Sequence, residues 1–356
     1  MASPVLSTCA AAGLLAASAC AADSASTPAI AWTTLPPLPD PEGFAGAFCG
    51  VSNGALVFAG GANLLEPRWE NPMRKQWVAH TFVLEKPGGP WIPSQPLPHP
   101  LGYGVSATTD TGVICVGGGD SRSHSAEVFE LRWTDGALRR IPLPPLPSPC
   151  ANACGAVVGR TLYVAGGIEA PDSPAALRQF LALNLDAPER GWSPLEPWPG
   201  PGRMLAVAGS LGEHFYLFSG ASLHPTPDGP PARIPLRDAY AFSPQSGWKR
   251  LADLPRAAIA APSPATPLAA SRLLILGGDD GTLAGFAPLH AHPGFSTEIL
   301  SYDPTLDRWS NAGRLPFSKV TTPAVSWGPL TIIPSGEVRP RRRSPEVWGF
   351  SANPKP

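Results

Sequence analysis

Two short stretches of this sequence gather charge of both signs. One is Glu66-Pro67-Arg68-Trp69-Glu70-Asn71. The other is Ser335-Gly336-Glu337-Val338-Arg339-Pro340-Arg341-Arg342-Arg343. The second places four arginines and one glutamate within seven residues. Guanidinium groups bind carboxylates and phosphates through paired hydrogen bonds. A carboxylate beside them can take and return a proton. An anion site with a built-in base is therefore one chemistry this pattern supports. A solvated basic loop is the competing reading.

The elements that must position these residues repeat along the chain. Six apolar runs end on a small-residue pair. They are Leu56–Gly61, Val113–Gly119, Leu162–Gly167, Phe215–Gly220, Leu273–Gly278 and Leu330–Gly336. Counted on the last Gly of each, the steps are 58, 48, 53, 58 and 58 residues. A period near ~50 residues with a Gly-Gly strand end is the kelch signature of a β-propeller. The expected fold is all-β, a six-bladed propeller with loops clustered around a central channel. Glu337 directly follows a strand-ending Gly, where a side chain can turn toward the channel mouth.

Within a repeat, the strand ending in Gly-Gly is followed by a variable loop and an alternating strand such as Thr81-Phe82-Val83-Leu84. A fourth strand carries Trp91, Trp192, Trp248 or Trp309, and a Leu-Pro segment leads onward. These Trp residues are expected to pack between blades. After Val347-Trp348-Gly349-Phe350 the last repeat lacks its Trp-bearing strand. Ala31-Trp32-Thr33-Thr34-Leu35-Pro36 has that pattern at the other end of the chain. The N-terminal strand is expected to close the ring and remove its open edge.

Composition fits one large domain over residues 23–356. Pro (47) and Gly (37) make up 84 of 356 residues, but the Pro residues fall between strands, as turns require. A net charge of −1 offers no attraction to nucleic acid or to an anionic membrane. No stretch outside the N-terminus approaches a membrane span. Residues 1–22 read as an export signal, with a small apolar run from Ala10 to Ala22 and small-x-small cleavage patterns. Cys20 opens a lipoprotein variant of that reading. The expected location is the periplasm or outside the cell. Cys49 and Cys115 are expected as buried small hydrophobes, and Cys150 and Cys154 as unpaired thiols.

A copper oxidase on the same architecture would need two Tyr, two His and a Tyr-linked Cys. The seven His show no paired motif, and four of the five Tyr sit at strand positions. No metal site and no cofactor is expected. A non-catalytic glycan-binding or protein-interaction propeller remains the alternative to an enzyme, because a fold does not fix a function.

The chain resembles the N-acetylneuraminate epimerase (sialic acid mutarotase) family of kelch propellers, over roughly residues 31 to 350. The resemblance rests on Gly43 to Asn53, on Ala59 to Ala62, on Arg68-Trp69-Glu70-Asn71 and on Gly102-Tyr103-Gly104-Val105-Ser106. The first of these segments lies late in ordinary members, so the resemblance implies a cyclically permuted branch. It also implies an isomerase that needs no cofactor and acts on a small-molecule sugar. The family's catalytic pair, a Glu after the strand-ending Gly and an Arg six residues later, falls on Glu337 and Arg343. The Arg stands in the run Arg341-Arg342-Arg343. Arg68, Glu70, Asn71, Tyr103 and Arg341 are the implied substrate-binding residues.

Overall fold

The computed structural model describes Met1, residues 30–227 and residues 229–351. Apart from Met1, the leader expected over residues 1–22 lies outside them. Each apolar run of the sequence is the second strand of a four-stranded antiparallel sheet. Blade 1 comprises Phe48–Ser52, Ala55–Ala59, Thr81–Leu84 and Ile92–Pro93. Blade 2 comprises Val105–Thr108, Val113–Val116, Val128–Thr134 and Ala137–Leu143. Blade 3 comprises Cys154–Val158, Thr161–Ala165, Phe180–Asn184 and Trp192–Leu195. Blade 4 comprises Val207–Leu211, His214–Phe218, Ala239–Ser243 and Gly247–Leu251. Blade 5 comprises Thr266–Leu268, Arg272–Gly278, Ser296–Asp303 and Arg308–Arg314. Blade 6 comprises Val325–Trp327, Leu330–Pro334, Val347–Ser351 and, as its outer strand, Ala31–Leu35. That last strand pairs antiparallel with Val347–Ser351, Ala31 opposite Ser351 and Leu35 opposite Val347. The N-terminal closure expected from the sequence is present.

The first strands of neighbouring blades face one another around the axis. Just before each of them the chain turns through a left-handed residue. These are Gly46, Tyr103, Asn152, Leu205, Ala260 and Thr321, with φ between +54° and +67°. Their backbones form a closed circuit. Gly46 N–H donates to Thr321 O, Thr321 to Ala260, Ala260 to Leu205, Leu205 to Asn152, Asn152 to Tyr103 and Tyr103 to Gly46, at 2.6–2.8 Å. Each donor is thereby satisfied by the blade before or after it, where no sheet partner exists.

The core is divided rather than central. Buried apolar side chains form a cluster at every blade–blade interface, from blades 6 and 1 (Leu35, Phe58, Ile332) round to blades 5 and 6 (Leu276, Ile333, Phe350). The fourth-strand Trp residues lock these interfaces. The indole N–H of Trp91 donates to Pro36 O, Trp192 to Pro144, Trp248 to Glu196 and Trp309 to Ala252. Each acceptor is the residue just after the outer strand of the preceding blade. A large apolar ring with a polar tip suits this place, since the tip finds a carbonyl at the edge of the buried surface. Cys49, Cys115, Cys150 and Cys154 are buried and unpaired. Burial pushes the thiols of Cys150 and Cys154 up to about 12, so neither is a nucleophile at neutral pH.

Lys319 is fully buried, and its ammonium donates to Glu346 O. Burial pushes its pKa from 10.5 down to about 7. Between these two values the unfolded chain binds the proton and the folded chain does not, so stability rises with pH across that window. Lys319→Met is expected to melt above wild type at pH 6–7. That advantage should shrink as pH approaches 10, read from paired thermal melts. The ring makes a second prediction. Ala260→Pro cannot adopt φ +54° and deletes the donor, so it should cost about 3 kcal/mol or more. Ala260→Gly should be neutral or stabilising, as left-handed strain of about 1–2 kcal/mol is relieved. Urea melts of the two variants decide this, and equal midpoints would contradict it.

Candidate active site

Three two-stranded hairpins extend past the Gly pairs on one face. Blade 1 contributes Ala62–Leu64 with Lys75–Trp77. Blade 4 contributes Ala221–Thr226 with Gly229–Pro235. Blade 6 contributes Glu337–Arg339 with Arg342–Arg343. Between them and the ring lies a cavity of about 330 Å³, within the usual range for small-molecule sites. Its walls include Glu337 and Arg343 from blade 6, Lys75 and Trp77 from blade 1, and Arg233 from blade 4. The ring residues Tyr103 and Asn152, and the loop residues Asp120 and His124, complete it.

Ser335 and Gly336, at φ +53° and +108°, turn the chain so that Glu337 enters the hairpin. Glu337 N–H donates to Val320 O, and Val320 N–H to Glu337 O, which ties this position to the ring. Across the hairpin Glu337 stands opposite Arg343. The six-residue spacing thus becomes a direct contact: Arg343 Nη1 donates to Glu337 Oε1 at 2.9 Å. The backbone N–H of Arg341 donates to the same oxygen at 2.9 Å. Arg343 is 7% exposed, and its Nε is buried without a partner among the described residues. Glu337 is half-buried and lines the cavity.

Tyr103 also lines the cavity. Its ring occupies space that a Cβ on Gly46 would take, 2.6 Å from Tyr103 Cδ1. Gly46, itself at φ +67°, is required here on both counts. Above the Tyr103 ring, at 4.0 Å, sits the Lys75 ammonium, which also lies 4.3 Å from the Trp77 ring centroid. His124 Nδ1 is 3.0 Å from Ile168 O. That contact fixes Nδ1–H as donor and leaves Nε2 as an acceptor. Burial lowers the His124 pKa, so the ring is neutral at pH 7. Asp120 is held ionised by hydrogen bonds from the N–H groups of Arg122 and Ser123.

The other implied binding residues are placed differently. Arg68 is buried, paired with Glu42 at 2.8 Å and with Glu66. The Arg341 side chain turns away from the cavity. Its Nη1 donates to the carbonyls of Arg68 and Glu70, and its Nη2 to Asn71 Oδ1. Arg68, Glu70, Asn71 and Arg341 therefore fasten the 66–71 loop to the blade 6 hairpin and do not line the cavity. Sequence reasoning missed Lys75, Trp77, Asp120, His124, Asn152 and Arg233. Asn152 was findable, since it repeats the Tyr103 position one period later. The others sit on variable loops and hairpins that carry no repeat signal.

Several known proteins are similar to this chain. Residues 5–139 match the sequence profile of a family described as N-acetylneuraminate epimerase. That stretch contains Lys75, Trp77, Tyr103 and His124, while Glu337 and Arg343 lie beyond it. An N-acetylneuraminate epimerase of Yersinia enterocolitica is 28% identical over 232 residues, covering 58% of this chain and 56% of that protein. One from Haemophilus influenzae is 28% identical over 227 residues, covering 57% of this chain and 58% of that protein. The matched region thus spans little more than half the length of these relatives. A solved structure titled "Structure of YjhT" shares the propeller fold, with a TM-score of 0.64 at 16% identity, over 88% of this chain and 95% of that one. The resemblance to N-acetylneuraminate epimerases seen in the sequence is borne out by these matches, which do not test the cyclic permutation.

The tether is testable. Arg341→Ala should raise amide exchange across residues 66–71 while the Glu337–Arg343 pair stays formed. Unchanged exchange would show that the loop is held by Arg68 and its carboxylates alone.

Proposed function

We propose that the protein is a sugar mutarotase that interconverts the α and β anomers of N-acetylneuraminate or a related sugar acid, working without a cofactor. The observation that carries this reading is a carboxylate and a guanidinium sharing one wall of one cavity at the channel mouth. The similarity to N-acetylneuraminate epimerases supports the substrate class. A glycan-binding module would not need a base held against an arginine in this way.

Mutarotation opens the pyranose ring and closes it on the other face. In the forward half, Glu337 takes the proton of the anomeric hydroxyl. The bond from the anomeric carbon to the ring oxygen breaks, and that oxygen takes a proton from water. The carbonyl then rotates. In the reverse half, the hydroxyl formed from the ring oxygen attacks the other face of the carbonyl and gives its proton back to the hydroxide left by the water, while the protonated Glu337 returns its proton to the oxygen of the former carbonyl. No net change in atoms or charge results. Arg343 fixes the position of the Glu337 carboxylate through the Nη1 bond. The Arg343 guanidinium on the same wall sets positive charge beside the negative charge developing on the anomeric oxygen.

Glu337→Gln keeps the shape and removes the base. It should slow anomer exchange of freshly released α-N-acetylneuraminate by roughly 10²–10⁴, as general acid–base groups do, followed by NMR. Wild-type rates in this variant would sink the assignment.

A further inference from the structure

The cavity carries three cations, Lys75, Arg233 and Arg343, against two carboxylates, Asp120 and Glu337. The roles of four of these are visible. Arg343 and Glu337 neutralise each other in a contact of 2.9 Å. Asp120 is engaged by the N–H groups of its own turn. Arg233 is exposed on the blade 4 hairpin. Lys75 differs from all of them. It forms no ion pair with any carboxylate of the described residues, yet it is fixed in place. Two aromatic faces, Trp77 at 4.3 Å and Tyr103 at 4.0 Å, hold its ammonium at the cavity wall.

The local geometry is built for this. Lys75 and Trp77 are two apart on one strand, so both side chains point to the same face. Tyr103 comes from the ring, with Gly46 making room for it. Aromatic faces attract an ammonium without accepting its N–H groups as a carboxylate would. The donors stay available to a ligand, and the chain entropy that a free lysine would lose on binding is already partly lost.

We propose that Lys75, seated on Trp77 and Tyr103, binds the anionic group of the substrate and sets the preference of this cavity for sugar acids over neutral sugars. The inference rests on the mutarotase reading for the identity of the ligand. With the anionic group at Lys75, Arg343 is left to position Glu337 and to face the charge developing on the anomeric oxygen.

A thermodynamic cycle tests it. N-acetylneuraminate and its neutral methyl ester are titrated calorimetrically into wild type and Lys75→Met. Lys75→Gln serves as a second variant, should the Met variant fold poorly. Removing either charge alone is expected to weaken binding about tenfold or more. Removing both should weaken it no further, because the two losses are one interaction. Lys75→Arg should keep most of the affinity for the acid. Undiminished binding of the acid by Lys75→Met, or losses that simply add, would overturn the proposal. Binding is read without turnover, so the two readings fail separately. Lys75-dependent acid binding with no anomer exchange would refute the mutarotase alone. Anomer exchange with an unchanged KM in Lys75→Met would refute the role of Lys75 alone. A wild type that binds neither compound overturns both.

Discussion

Six backbone hydrogen bonds around the axis are the constraint on which this molecule depends. They join residues from all six blades, and each demands a left-handed backbone at a fixed point of the repeat. Five of the six residues are not glycine, and each costs about 1–2 kcal/mol in that conformation. Each hydrogen bond contributes about 1 kcal/mol net. The circuit is thus close to neutral as a source of stability. Its value lies in registration, because an N–H left without its acceptor there would cost another 1–3 kcal/mol. Stability comes from the six interblade clusters and the Trp-to-carbonyl contacts between them.

The candidate site inherits its geometry from that circuit. Tyr103, Asn152 and Thr321 are both ring members and cavity walls. Glu337 is bonded to Val320, the neighbour of Thr321. In blades 4 and 6 a Ser replaces the first Gly of the pair. The Oγ of Ser219 accepts the N–H of Ala258 and donates to Leu236 O. The Oγ of Ser335 accepts the N–H of Phe44 and donates to Ser344 O. These hydroxyls bind the next blade to the return strand of their own, just where the hairpins bearing Arg233 and Glu337 begin. The base of the proposed reaction therefore stands on hydrogen-bonded backbone and not on a free loop, as a positioned catalytic group requires.

Much of the fold was legible because propeller architecture writes itself as a period. The Gly pairs, the Leu-Pro segments and the Trp residues each recur, and a missing strand at Phe350 could be matched to a spare one at Trp32. The Glu337–Arg343 pair was legible through the family resemblance, while the hairpin that turns its six-residue spacing into a contact was not. The binding residues expected at Arg68, Glu70, Asn71 and Arg341 were harder to place. A sequence displays their charges but not the carbonyls of Arg68 and Glu70, and those are what Arg341 binds. Lys75 and His124 were invisible for the opposite reason. Nothing local marks them, and their neighbours in the cavity come from other blades. The ring was also hidden, because Leu205 and Ala260 look nothing like left-handed residues until the ring demands it of them.

One measurement tests the central claim, that a single cavity at the channel mouth gathers these groups for one ligand. A crystal of the protein should be grown with N-acetylneuraminate present, and the sugar located. The account predicts density between the Glu337–Arg343 pair and the Lys75–Trp77–Tyr103 cluster. It places the anomeric hydroxyl at Glu337 and the carboxylate at Lys75. Sugar bound instead in the outer groove beside His214, Lys249 and Tyr302, or with its carboxylate turned to solvent, would contradict it.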